Sequence, residues 1–175
     1  MVVWLDFKTH VFVARLLEII LKYKNMEKGK FLQTMGNMFI DGSAKIGRNC
    51  TIGQFAVIEK DAVIGDECQI GHNVVIHAGT VIGSGVRIDA NTVIGKQPLR
   101  SKRSIFKSDK KYEPATIGDE CLIGAQVIIY VGSEIANNVL IADSAAVRED
   151  VKVGEFTILG RSCTVENFTT IGKKC

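Results

Sequence analysis

The chain is short of most features by which a sequence declares a nucleic-acid, membrane or redox role. Its net charge is only +3 over 175 residues, too mild for a protein that grips a phosphate backbone over a broad face. It has no Walker loop, no dinucleotide fingerprint and no Cys-x-x-Cys. That removes the usual phosphate-cradle, Rossmann and thioredoxin-like readings. Five cysteines, an odd number with no pairing motif, do not make a disulfide framework and suit a reducing cytosol. Histidine is scarce, at His10, His72 and His77 alone. The apolar run at 11–21, VFVARLLEIIL, is too short to cross a bilayer. Without a basic start or a small-residue cleavage site before it, the leader is a poor signal peptide. Arg15, Glu18 and Lys22 share one helical face, so the leader 1–39 is expected to carry an amphipathic helix that caps the domain beyond it.

The chain beyond the leader has neither the helical period of 3.6 nor the strand period of two. From Ile40 to Ile94 an aliphatic residue recurs every six positions, and again from Ile117 to Ile171, twenty times in all without a missed slot. Four residues after each stands a small side chain, among them Ala44, Cys50, Thr80, Thr92, Cys121, Ser133, Thr157, Cys163 and Cys175. All five cysteines fall in this slot, which reads them as small core residues. The residue before it must turn a corner. Asn49, Asp61, Asn73, Gly79, Gly85, Asn91, Gly132, Asn138 and Asp150 supply types that tolerate positive φ there. A period of six is the signature of an all-β fold, a parallel β-helix of hexapeptide repeats, in which three hexads make one triangular coil. It is expected over residues 40–175. The chain stops mid-hexad at Cys175, so either a longer protein or some other cover over the last coil is expected.

One stretch breaks the count. Ile94 and Ile117 are 23 residues apart, and the segment between them reads KQPLRSKRSIFKSDKKYEPAT. No hexad survives in it, so an extruded loop at 96–116 is expected, with an insertion of five, eleven or seventeen residues, the longest favoured. Lys96, Arg100, Lys102, Arg103, Lys107, Lys110 and Lys111 face only Asp109 and Glu113. Such a loop on a rigid scaffold suits the phosphates of a cofactor, nucleotide or carrier protein, and Arg100, Lys102 and Arg103 are its candidate ligands.

Residues 40–175 resemble the left-handed β-helix acyltransferases, the hexapeptide transferase superfamily. The stretch 117–160, IGDECLIGAQVIIYVGSEIANNVLIADSAAVREDVKVGEFTILG, is most similar to the lipid A acyltransferases and nucleotide-sugar N-acyltransferases. The resemblance implies a cytoplasmic homotrimer with active sites between subunits. It implies acetyl-CoA, another acyl-CoA or an acyl carrier protein as donor, a nucleotide-sugar amine or hydroxyl as acceptor, and no metal. The lipid A enzymes place Ile-Ala-His where this chain has Val147, Arg148 and Glu149. Their histidine thus falls on Glu149, which serves as a base only if burial raises its pKa.

Glu149 ranks slightly ahead as the base because its position follows from the matched register, while His77 is the chemically better base. It stands just after Ile76, where most hexads have Gly, and its neighbours one coil away are Glu59 and Gly95. The same slot holds Tyr130, Arg148 and Glu166, spaced by eighteen, which stack into a column suited to a pyrimidine ring and its diphosphate. Two other readings remain at this point. His72 and His77 have the His-x4-His spacing of the γ-carbonic anhydrases, whose third ligand falls on Gly36 here; a pair of histidines holds zinc poorly. A non-catalytic, truncated or degenerate scaffold is the other.

Overall fold

The computed structural model describes residues 37–103 and 110–175, within the unit Gln33–Cys175. The expected leader helix lies outside the described residues. So does Gly36.

Every hexad becomes one short strand. Twenty strands run from Phe39–Ile40 to Thr170–Ile171, and each ends in or contains its inward aliphatic residue. They sort by threes into parallel sheets of seven, seven and six strands, the three walls of a left-handed β-helix. The first wall holds Val57–Ile58, Val75–Ile76, Val93–Lys96, Ile128–Tyr130, Ala146–Val147 and Thr164–Val165. Partners within it lie eighteen apart, as in Ile58↔Ile76↔Ile94. Across the loop Ile94 pairs with Ile129, thirty-five on. The excess of seventeen is the longest of the three insertions the sequence allowed.

The core is a single file of side chains inside the triangle. From Ile58 to Val165 the inward aliphatics are buried, with Ala62, Cys68, Val74, Val86, Cys121, Val139 and Val151 between them. Fully burying one such isoleucine stabilises by about 1.5–3 kcal/mol. Six of the inward polar side chains follow a further rule. Cys50, Cys68, Cys121, Ser133 and Thr157 each donate to the carbonyl fifteen residues on, at Gly65, Gly83, Ala136, Arg148 and Gly172. Thr92 donates to Gly124, the same place once the loop is counted.

Corners are more demanding than the residue types suggested. Eighteen of the nineteen corner positions, Ser43 being the exception, take φ between 55° and 74°. The nine residues expected there all comply, but so do Phe55, Glu67, Glu120, Gln126, Ser144, Phe156, Ser162, Phe168 and Lys174. Stacking imposes the left-handed turn whatever the side chain, against a local penalty of about 1 kcal/mol.

The loop leaves the first wall and returns to the second. Among the described residues only two strands exceed two residues, Val93–Lys96 and Ile128–Tyr130, and they face each other where it departs. Register slips there between Ile94 and Lys96, and Gly95 has a φ of 80°. At the far end Pro114 sits over Gly79, Ala115 is buried in an inward small slot, and Thr116–Ile117 is already strand. The departure from the coil is therefore shorter than 96–116.

Candidate functional site

The residue after the inward aliphatic of the first wall projects outward beside the corner that the loop spans. One line of such residues climbs the wall: Glu59, His77 and Gly95, then Tyr130, Arg148 and Glu166, past the slip that pairs Lys96 rather than Gly95 with Tyr130. The sequence showed this as two fragments on either side of the insertion. The structure joins them, with coils at a spacing of about 4.8 Å.

At the lower end His77 Nδ1 lies 3.3 Å from Glu59 Oε1, and both side chains are partly exposed. The second oxygen of Glu59 accepts the Ala78 N–H at 3.0 Å, which fixes the carboxylate against the backbone. With Nδ1 so engaged, Nε2 is the ring atom left to exchange a proton. Gly95 stands one coil above. A β-carbon there would come within 3.2 Å of His77 Cβ and 2.5 Å of Thr80 Oγ1, so glycine is required to keep this part of the column clear.

Higher up, Tyr130 is flanked by cations from the neighbouring coils. Arg148 Cζ lies 5.3 Å and Lys96 Nζ 5.5 Å from its ring centre. The Arg148 guanidinium reaches Glu149 with Nε to Oε2 at 3.0 Å and the second terminal nitrogen to Oε1 at 3.3 Å. Its contact with Glu166 is longer, at 3.5 Å.

Glu149 is 0% exposed. It is shared with a second guanidinium, because Arg100 of the loop donates to Oε1 at 2.7 Å and to the Tyr112 hydroxyl at 2.7 Å. Burial raises the pKa of this carboxyl, but it is outweighed by the residue's own backbone N–H, by Arg148 and by Arg100, and the net shift is downward. The sequence required burial to raise it. The structure corrects that expectation: a buried carboxylate between two guanidiniums stays ionised and fully engaged, a poor acceptor for a substrate proton.

The loop is divided in its use of charge. Arg100 is 12% exposed and turned to Glu149. Lys110 pairs with Asp150 and lies over the rings of Tyr112 and Phe168, each at 4.9 Å. Lys102, Arg103 and Lys111 are exposed. Arg100 is thus turned toward Glu149, apart from the exposed Lys102 and Arg103. No signal in the sequence links Arg100 to Glu149, forty-nine residues away.

His72 is on the approach to the corner that enters the first wall, where its Nδ1 accepts the Gln54 N–H at 2.9 Å. His77 is at the end of the strand that leaves that corner. No three His, Cys, Asp or Glu side chains come together as a metal site among the described residues. A shallow groove of about 330 Å³ lies on the third wall between Arg87, Leu122, Leu140, Asp143 and Arg161, and none of the expected site residues lines it. Among the described residues no helix is long and apolar enough to cross a membrane.

Two family models match the chain, the bacterial transferase hexapeptide (six repeats) over residues 61–96 and the hexapeptide repeat of succinyl-transferase over residues 114–142. No curated protein matches it. Among solved structures it is similar to UDP-N-acetylglucosamine acyltransferase from Campylobacter jejuni, at 22% identity and a TM-score of 0.62, over 80% of this chain and 62% of that one. The enzyme of the same description from Francisella novicida gives 23% and 0.62, over 80% and 58%. A perosamine N-acetyltransferase variant from Caulobacter crescentus, in complex with CoA and GDP-perosamine, gives 16% and 0.54, over 86% and 58%. The chain thus spans about three fifths of the length of these proteins. The hexad is unbroken on both sides of the loop and its strands stack into three parallel walls, so the chain carries the hexapeptide repeat that both models describe and shares the β-helix fold of these structures.

Proposed function

We propose that this protein is an acyltransferase that moves an acyl group, acetyl in the simplest case, from CoA to an amine or hydroxyl of a nucleotide-linked sugar. The observation that carries the reading is the His77–Glu59 pair, set in one column with Tyr130 and Arg148 and beside a basic loop. The names of the similar structures support it, since they are sugar acyl- and acetyltransferases and one holds CoA with a nucleotide-linked sugar.

In this reading His77 is the base. Its Nε2 takes the proton as the acceptor's nitrogen or oxygen attacks the thioester carbonyl. Glu59, 3.3 Å from Nδ1, holds the ring. The new C–N or C–O bond forms, the C–S bond breaks, and the proton passes to the departing thiolate. The chemistry asks for little beyond a thioester held beside a nucleophile and donors for the oxyanion, and backbone N–H groups at a wall edge supply the latter. Lys102 and Arg103, exposed on the loop, take the phosphates of CoA. Tyr130 and Arg148 take the base and diphosphate of the acceptor. Glu149 has no proton-transfer role. The assembly is a homotrimer in the cytosol, with a neighbouring subunit closing each cleft.

The test is calorimetry with CoA, followed by thiol release from acetyl-CoA over a panel of nucleotide amino sugars. His77→Gln is expected to lower turnover by about 10²-fold or more with donor affinity kept. No binding of CoA at millimolar concentration would refute the reading and leave a non-catalytic scaffold.

A further inference from the structure

Glu149 is a fully buried, ionised group for which the reaction above has no use. Burying a carboxylate is costly unless it is paired and hydrogen-bonded, so its partners show what it holds. One is Arg148, the adjacent residue on its own coil. The other is Arg100, which the coil does not supply; it reaches in from the loop.

The rest of the loop's attachment points the same way. Arg100 also holds the Tyr112 hydroxyl, which ties the outgoing limb to the returning one. Two successive N–H groups just past the Ile128–Tyr130 strand are then capped by those two limbs. Val131 donates to the Lys96 carbonyl at 3.1 Å and Gly132 to the Glu113 carbonyl at 2.7 Å. Lys110 meets Asp150, the residue next to Glu149. The described parts of the loop therefore lie against the edge of the candidate column.

We infer that Glu149 is the latch of the basic loop: through Arg100 it holds the loop against the first wall beside Tyr130 and Arg148, and so positions Lys102 and Arg103 to receive an anionic donor. It is a positioning residue and touches neither substrate nor reacting atoms. The same carboxylate aims Arg148, so loop and acceptor wall share one anchor. The donor half of this inference rests on the acyltransferase reading; the latch itself does not.

Arg100→Ala is the first variant, because Arg100 lies in the loop and its loss leaves the stacked coils and the Arg148–Glu149 pair in place. Glu149→Gln is the second. Amide hydrogen exchange, measured on the full chain without ligand, is expected to speed at Val131 and Gly132 by at least tenfold in both variants. Amides within the stack, such as His77 and Gly118, keep their rates. The double variant is expected to exchange no faster than the worse single one, since both remove one interaction. Unchanged exchange at Val131 and Gly132 in Arg100→Ala overturns the latch, whatever the protein's activity. Raised exchange with no CoA binding by the wild-type chain upholds the latch and refutes the donor reading. In the active enzyme Arg100→Ala is expected to raise KM for acetyl-CoA about tenfold with kcat kept. A fall in kcat at unchanged KM would overturn the positioning role.

Discussion

Thr80 offers the sharpest test of how the coils are held together. By the rule that Cys50, Cys68, Thr92, Cys121, Ser133 and Thr157 obey, its Oγ1 should donate to the carbonyl fifteen residues on. That residue is Gly95, where the register slips and φ is 80°. Its carbonyl is carried out of line, and Thr80 Oγ1 is buried with no hydrogen-bond partner. A buried polar group left unpaired costs about 1–3 kcal/mol. Thr80→Val keeps the shape and removes the hydroxyl, so it is expected to stabilise the fold by about 1 kcal/mol, by the lower end of that range. Thr92→Val is the matched control. There Oγ1 donates to Gly124 at 2.8 Å and accepts the Val127 N–H at 3.2 Å, so the same substitution orphans a buried N–H and is expected to destabilise by about 1–3 kcal/mol. Urea unfolding, with the slope unchanged and two optical probes coincident, measures both. The reasoning fails if Thr80→Val destabilises as much as Thr92→Val, because Thr80 would then have a partner that the fifteen-residue rule does not supply.

Three other outcomes are expected. Desolvation pushes the Cys68 thiol up to about 11, so at pH 8 its ionised fraction, and with it the rate of modification by a thiol reagent, is expected to be on the order of a hundredfold below that of an ordinary thiol. The exposed Cys175 should react first, and mass spectrometry of the labelled peptides gives the order. Phe55 is half exposed with φ of 59°; Phe55→Asn is expected to raise stability by about 1 kcal/mol, through relief of the left-handed penalty, which thermal unfolding would register as a higher Tm. Sedimentation equilibrium is expected to give three times the chain mass at micromolar concentration, and a monomer would remove the shared cleft from the proposed mechanism.

Much of this fold can be read from the chain because the hexad acts locally and repeats. Each aliphatic slot from Ile40 to Ile171 predicts one strand, and each strand is there. The eighteen-residue spacing also brings Glu59 beside His77 and Arg148 beside Tyr130. What the sequence hides is whatever depends on the loop's path. Glu149 reads as a corner residue or a displaced base, because nothing local reveals that Arg100 returns to cover it. The conformation of Phe55, Phe156 and Phe168 is equally hidden. Their side chains argue against a left-handed turn, and stacking against the coils on either side overrides them. The orphaned Thr80 hydroxyl needs both facts at once, a periodic hydrogen-bond rule and the single place where an insertion breaks it.

The way the loop rejoins the stack bears on how such a protein is assembled over generations. If residues 96–112 were excised and Gly95 joined to Glu113, the order Ile94, Gly95, Glu113, Pro114, Ala115, Thr116, Ile117 would be one ordinary hexad, with the small residue four places and the next aliphatic six places after Ile94. The seventeen residues are thus a cassette with compatible ends. Its removal or exchange would leave the inward pattern of the repeats intact, so the outer surface at this corner can differ while the coils beneath it stay the same.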